Sequence, residues 1–428
     1  MFPFTRNYFR YQNQSLIKRT FLTTKRGIMI LAFIWCLPIC YMISKKEELT
    51  THLIRKRFDC RYIFTAPETT TTLNTVIRKN FTTPPQNVAN ISKNAQRSVI
   101  FLKTHKTGSS TITNIMQRYS KSNKLNVALP KCEHRFCYPE KFDKNLLFLH
   151  TKGNTYNMLF NHAVFYKEKM LKVMDPGTKI ITIIREPYSQ FDSAVQYLNF
   201  KKYFNLSGIL PLLDEFFKIP EESLKSFLQS VNLLEGEGSF ALAKNPNAFD
   251  LGFDVWNETP EYINEVLNSI SQDFHLVMIM EYMEESLVLL KNELNWELED
   301  VVFFVHNARK FKDKNTNNIN DATKKVLNWN KLDAAIYKHF NETFWVKVKT
   351  SPPEFYTDVK TLREWNLSLV NHCTLYKTTD VSNTLIKKYS EKNRAYLCTD
   401  ILKEDIPFTV WFKMMRQFNS RSLFSNKW

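Results

Sequence analysis

An α/β fold is predicted, with a P-loop-like, mostly parallel sheet flanked by helices, and three observations predict it. Val99 to Leu102 and Lys179 to Ile184 (K-I-I-T-I-I) are short runs rich in β-branched residues, as expected of strands covered on both faces. Each run breaks at a turn carrying a cation and then gives way to helical spacing. Ile112, Ile115, Met116 and Tyr119 follow the first, and Phe191, Ala194, Val195 and Leu198 follow the second. Strand-like and helix-like segments then alternate through the middle of the chain, which is the order of a parallel sheet with helical crossovers.

The remaining elements follow in order. Leu146 to His150 is a short strand candidate, and Asn161-His162-Ala-Val-Phe-Tyr166 precedes a lysine-rich helical stretch. Pro187 opens the helix after the second strand, since its fixed φ and missing N–H suit a first helical turn. Leu210 to Leu234 reads as one helix with Leu212, Leu213, Phe216, Phe217, Leu224 and Phe227 as its apolar positions. Asp250-Leu-Gly-Phe-Asp254 reads as a turn, Glu261 to Ser271 as a helix and Phe274 to Met280 as a strand. An amphipathic helix over Glu284–Leu294, an apolar run over Val301–Val305 and a helical pattern over Asp321–Trp345 complete the core. Residues 346–428 form a charged, aromatic-rich extension of unassigned structure.

The net charge of +17 would suit nucleic acid, an anionic membrane or a polyanionic small ligand. Six of those charges (Arg6, Arg10, Lys18, Arg19, Lys25, Arg26) fall within the first 26 residues, which hold no acid. The other +11 is dispersed, with no basic block and no nucleic-acid motif, so nucleic acid is not an expected partner. Gly27 to Ile43 is an uncharged run of 17 residues, near the lower limit for a bilayer span. A cleaved signal peptide is the competing reading. The run exceeds a usual apolar signal core and lacks a small-x-small site before Lys45-Lys46, which favours a signal anchor. The expected layout is a cytosolic tail (1–26), an anchor (27–43), a Thr/Asn/Pro-rich stem (44–96), a catalytic domain (97–345) and the extension (346–428). A luminal chain should carry N-glycosylation sequons, and Asn80, Asn90, Asn205, Asn257, Asn341 and Asn366 each begin one. Beyond the anchor lie Cys60, Cys132, Cys137, Cys373 and Cys398, an odd number. Cys132 with Cys137 and Cys373 with Cys398 are candidate pairs, and none has the spacing of a zinc site.

The loop after the first strand, Lys103-Thr-His-Lys-Thr-Gly-Ser-Ser-Thr111, carries the chemistry. A strand feeding cations, hydroxyls and a glycine into a helix N-terminus makes an anion site, because free N–H groups and the positive dipole end meet there. A nucleoside triphosphatase loop needs its lysine after the second glycine. Here Lys106 precedes Gly108, and neither later strand ends in the acid that would hold a magnesium ion. An NTPase is therefore not the expected function.

Lys106-Thr-Gly-Ser-Ser-Thr111 after a buried strand resembles the 5′-phosphosulfate loop of sulfotransferases, and Arg185 with Ser193 resembles their 3′-phosphate motif. Taken with N-H-A-V-F, D-L-G-F-D, E-S-L-V-L-L-K and W-E-L-E-D-V, the region from about Arg97 to Trp345 resembles the galactose-3-O-sulfotransferases, the group that includes galactosylceramide sulfotransferase. That resemblance implies the sulfotransferase fold and 3′-phosphoadenylyl sulfate (PAPS) as donor. It also implies a galactose-terminated glycolipid or glycan as acceptor, and a Golgi type II membrane protein. Donor contacts would come from Lys103, Thr104, Thr107, Gly108, Ser109, Ser110, Thr111, Arg185 and Ser193. Lys106 would neutralise the leaving oxygen, so that no metal is required. The sugar hydroxyl needs a base, and His162 is preferred over His105, which inside the donor loop would orient the substrates.

Against these readings stand plainer ones: Lys103 as a solvated strand-end cation, Arg185 as an ion-pair partner of Glu186 or Asp192, His162 as a structural histidine, and Asp250 and Asp254 as a turn bordering the acceptor rather than catalytic residues. A sulfotransferase for another sugar, such as a glycosaminoglycan uronic acid, and a non-catalytic membrane-tethered lectin are the alternative functions. The presence of Lys106, Arg185, Ser193, His105 and His162 together argues against the lectin. A homodimer and a monomer are both left open.

Overall fold

The centre of the fold is a four-stranded, all-parallel sheet in the order β2-β1-β3-β4: β1 (Val99–Leu102), β2 (Met158–Leu159), β3 (Lys179–Ile184) and β4 (Leu276–Ile279). This computed structural model describes residues 94–150, 153–198, 200–230, 238–304, 316–375 and 397–425. Val99 pairs with both Met158 and Lys179, and Ile181 with Leu276, so β1 and β3 are central. Every residue of β1 and β4, and all of β3 except Lys179, is buried, which is why these runs lack polar alternation.

The crossovers begin with α1 (Ser109–Ser122), then α2 (Lys167–Leu171) before β3 and α3 (Pro187–Tyr197) after it. Glu186 caps α3, its carboxylate accepting the N–H groups of Tyr188 (2.9 Å) and Ser189 (2.7 Å). Between α3 and β4 run α4 (Phe200–Tyr203), α5 (Leu212–Phe216), α6 (Glu221–Ser230), α7 (Pro246–Asp250) and α8 (Pro260–Asp273). The helices α9 (Met283–Leu294), α10 (Thr316–Trp329), α11 (Lys331–Lys349), α12 (Phe355–Leu375) and α13 (Asp405–Ser425) follow β4. The main core joins the sheet to α1, α9 and α11. A second, aromatic core gathers Phe191, Phe200, Phe216 and Trp329 under α3.

Several expectations are corrected. The segment 146–150 is not a strand: Leu147 makes one isolated antiparallel bridge to Pro130, and Leu149 is exposed with φ +48°. The strand beside β1 is instead Met158–Leu159. The expected helix over 210–234 is two helices over its described part: α5 ends at Phe216, α6 begins at Glu221 just after Pro220, and residues 231–234 lie outside the described residues. The helical stretch 321–345 is two helices that break at Asn330. Asp250 is the last residue of α7 rather than a turn residue. The fold also continues past residue 345. The helix α12 packs on α9, Cys373 is disulfide-bonded to Cys398, and α13 lies against α1, all within the compact unit Pro85–Trp428. Cys132 and Cys137 bring their Sγ atoms to 2.7 Å without a bond.

The expected anchor Gly27–Ile43, the stem to residue 93, and the sequons at Asn80 and Asn90 lie outside the described residues. Among the described residues, no helix is long and apolar enough to cross a membrane. Asn205 is exposed and Asn257 and Asn341 are half-buried. Asn366, by contrast, is buried in α12 with its Oδ1 accepting the Phe303 N–H at 2.9 Å, so its side chain belongs to the packing.

Candidate active site

The site forms where the C-terminal ends of β1 and β3 meet, the position at which open parallel sheets bind ligands. From β1 the chain enters the loop through Lys103 and Thr104. Lys106 (φ +62°) and Gly108 (φ +71°) then take left-handed conformations, which curl the loop tightly into α1. A Cβ at Gly108 would stand 3.2 Å from Met280 Cγ and from Met283 Cε, so glycine serves both the backbone angle and the close fit. As N-cap of α1, Gly108 offers no side-chain acceptor, and the first turn holds no acid. The helix therefore presents its dipole and its leading N–H groups of Ser109 and Ser110 to an incoming anion.

The loop hydroxyls divide into two sets. Thr104 Oγ1 donates to the Ile183 carbonyl and lies 2.7 Å from Thr107 Oγ1, while Ser109 Oγ donates to the Thr104 carbonyl at 2.6 Å. Thr104 thus ties the loop to β3, and Thr107 and Ser109 close the loop on itself, because buried carbonyls need donors. Ser110 is exposed and Thr111 half-buried at the mouth of the helix. Lys103 is also committed elsewhere: it is 3% exposed and ion-paired with Asp405 at the start of α13. Thr104, Thr107, Ser109 and Lys103 thus hold the frame of the site in this structure.

Arg185, at the end of β3, donates from Nη1 to the Lys106 carbonyl at 3.1 Å, joining the two strand-end units into one site. A Glu281 carboxylate oxygen lies 4.0 Å from its Nε. Burial pushes Glu281 above the ordinary carboxylate range. Ser193 lies buried on α3, one turn beyond Gln190. Lys106 Nζ rests over the Tyr197 ring at 3.8 Å. Arg185 is thus tied to the Lys106 backbone, in the loop that leads into an N-terminus of α1 without a side-chain cap.

His105 and His162 come together on the other side of the loop. Their rings stack with centroids 3.9 Å apart and planes 15° from parallel. His162 Nδ1 donates to the Lys103 carbonyl at 3.1 Å. Burial, with the charges of His105 and Lys103 next in effect, holds the His162 imidazolium well below its usual range, so this ring is neutral. His105 is pinned at three atoms. Asp250 accepts its backbone N–H (2.7 Å) and its Nδ1–H (3.0 Å), while Gln190 Nε2 donates to its carbonyl (2.9 Å). The Tyr138 ring lies 4.6 Å from that of His105, and burial followed by the Asp250 charge pushes the Tyr138 phenol well above its ordinary value. Among the described residues, no group of three or more His, Cys, Asp or Glu side chains is arranged to hold a metal ion.

Asp250, Gln190, Glu281 and Tyr138 also belong to the site. Of these, Gln190, Glu281 and Tyr138 carry no sequence signal, whereas Asp250 carries one as the first residue of D-L-G-F-D, a motif expected to border the acceptor. Its glycine explains the spacing: Gly252 has φ +86°, and a Cβ there would meet the Phe165 carbonyl oxygen at 2.5 Å.

A parallel α/β protein whose strand ends hold a lysine-first anion loop, a second cation and a carboxylate-bound histidine has the parts of a group-transfer enzyme using a phosphorylated donor. The chain belongs to the galactose-3-O-sulfotransferase family, whose sequence profile matches residues 54–405. It is 34% identical over 284 residues to galactose-3-O-sulfotransferase 3 of Mus musculus, covering 64% of this chain and 63% of that protein. With galactosylceramide sulfotransferase of Mus musculus it shares 33% over 284 residues, covering 65% of this chain and 64% of the relative. With galactose-3-O-sulfotransferase 2 of Mus musculus it shares 35% over 286 residues, 64% of this chain and 69% of the relative. The match to the first of these thus spans under two thirds of that relative's length.

Proposed function

We propose that this protein transfers a sulfuryl group from PAPS to the 3-hydroxyl of a galactose on a glycolipid or glycan. The observation that carries the reading is the Arg185-to-Lys106 bond, which brings two cation-bearing strand ends together around one helix N-terminus. A donor phosphorylated at both ends of its nucleoside, with sulfate on one of them, matches that arrangement. The 5′-phosphosulfate would bind the N–H groups at the start of α1, with the Ser110 and Thr111 hydroxyls adding donors. The 3′-phosphate would take Arg185 and Ser193.

In the transfer, the acceptor oxygen bonds to sulfur as the bond from sulfur to the bridging oxygen breaks. The charge that builds on the bridging oxygen of 3′,5′-phosphoadenosine is met by Lys106, help of the kind worth several kcal/mol in a dry site. The acceptor proton passes to the histidine pair His105 and His162. This chemistry draws on fixed cations and needs no electron transfer.

The same reading makes the protein a single-pass type II protein of the Golgi membrane, anchored by Gly27–Ile43, with residues beyond the stem in the lumen. N-linked sugars are then proposed at Asn80, Asn90 and Asn205, with the half-buried Asn257 and Asn341 less accessible. The test is incubation of the detergent-solubilised full chain with sulfur-labelled PAPS and a panel of β-galactosides, α-galactosides and uronic-acid oligosaccharides. Label on the galactose 3-hydroxyl is expected. Label on a uronic acid alone, or donor binding without transfer to any sugar, would overturn the acceptor assignment.

A further inference from the structure

We propose that Asp250 is the positioning residue that makes His105, and not His162, the proton acceptor of the transfer; this rests on the sulfuryl-transfer reading above. Asp250 is fully buried, its carboxylate grips both the backbone N–H and the Nδ1–H of His105, and His105 keeps an exposed edge of 11%. With Nδ1 donating to a carboxylate, the lone pair of the neutral ring is on Nε2, the atom left to take a proton. A proton arriving there creates an imidazolium directly paired with a carboxylate. On His162 the ring's Nδ1 meets only a neutral acceptor, the Lys103 carbonyl, and burial with the charges of His105, Lys103 and Arg135 opposes a further proton. Two rings 3.9 Å apart cannot both carry charge cheaply, so the ring with the anion takes it and the other stays neutral.

The support behind Asp250 is built for rigidity. It closes α7, whose first N–H groups, from Asn247 and Ala248, donate to the buried Asp333 carboxylate at 2.8 and 2.9 Å. Asn247 is bonded in both directions to Gln190, at 3.0 and 2.7 Å, and Gln190 in turn holds the His105 carbonyl. Because Gln190 lies on the helix that carries Ser193, the same frame fixes the histidine and the proposed 3′-phosphate site.

Asp250→Asn is the informative substitution. The amide oxygen satisfies the backbone N–H of His105, which turns the amide nitrogen toward Nδ1. An amide N–H then replaces one of the two oxygens 3.0 Å from Nδ1, which favours the tautomer with the ring proton on Nε2, the wrong one for a base. We expect turnover to fall by about 10³-fold, in the manner of other histidine–carboxylate pairs, with the KM for PAPS and the affinity for 3′,5′-phosphoadenosine within about twofold of wild type. In the His105→Ala background, Asp250→Asn should cost no more than about threefold further, because its effect runs through the missing ring.

Multiplicative losses in the double variant would overturn the proposal, since a purely structural aspartate would give them. So would non-additivity of Asp250→Asn with His162→Ala in place of His105→Ala. Asp250→Glu, which keeps the charge, should recover part of the turnover; no recovery, with the fold intact by urea unfolding, counts against it. Failure of the donor reading looks different, as wild-type protein would then not bind 3′,5′-phosphoadenosine at all.

Discussion

Asp333 offers a stability test that can be worked through from the structure. This carboxyl on α11 is 1% exposed, and it accepts two backbone N–H groups from the start of α7. Burial is the largest influence on it and, despite those two bonds, pushes its pKa from 3.8 up to about 7. At a pH below the unfolded value, the group is protonated in both states and costs nothing. As pH rises, the unfolded chain releases the proton and the folded protein holds it, so folding stability falls until the folded group also ionises, near pH 7. At about 1.4 kcal/mol per pH unit, the total comes to about 4 kcal/mol, constant at higher pH. Asp333→Asn removes the titration. It also loses one of the two N–H acceptors, an offset of about 1–2 kcal/mol that is the same at every pH. His134, His162 and His275, whose pKa values burial lowers, tilt stability the opposite way, but they are common to both proteins and cancel in the difference. Urea unfolding of wild type and variant, followed by tryptophan fluorescence between about pH 4 and pH 8, should show the variant gaining on wild type up to about pH 7 and then running parallel. A difference that does not vary with pH would refute the reasoning, because the buried carboxyl would then titrate alike in both states.

Other substitutions probe the site and its frame. Lys106→Ala should lower turnover by about 10²–10³-fold in the PAPS assay while the protein unfolds at the wild-type urea concentration; near-normal turnover would remove Lys106 from the chemistry. Asp405→Ala leaves the buried Lys103 ammonium without its carboxylate and should cost about 3–5 kcal/mol in urea unfolding, whereas Lys103→Met combined with Asp405→Leu should cost far less and keep 3′,5′-phosphoadenosine binding. Loss of that binding in a folded double variant would return Lys103 to the donor site. Gly252→Ala must adopt φ near +86° against the Phe165 carbonyl, and a loss of about 2 kcal/mol or more is expected by thermal melting.

Much of the sheet could be read from the chain because β1, β3 and β4 are buried on both faces and so carry uninterrupted apolar runs. The edge strand could not. Met158–Leu159 is only two residues long, too short for any period, while Leu146 to Leu149 offers a better apolar run that pairs with almost nothing. In the site, Lys106, Arg185, His105 and His162 stood out because strand-end cations and histidines have few structural uses. The loop hydroxyls were harder to allocate. Sequence marks a Thr/Ser-rich loop as suited to phosphate, but only packing reveals that the Ile183 and Thr104 carbonyls claim three of them. The roles of Asp250, visible only as part of D-L-G-F-D, and of Asp405 were hidden for a different reason. Their partners lie 145 and 302 residues away, and no local pattern records a contact of that separation.

That last contact also sets an order in time. Lys103 is translated 302 residues before Asp405, which at roughly 5–20 residues per second means a wait of about 15–60 s before its counter-ion exists. Until α13 is in place, the end of β1 holds an ammonium without the carboxylate that pairs with it in the folded protein. The frame of the active loop is therefore completed by a contact from near the far end of the chain.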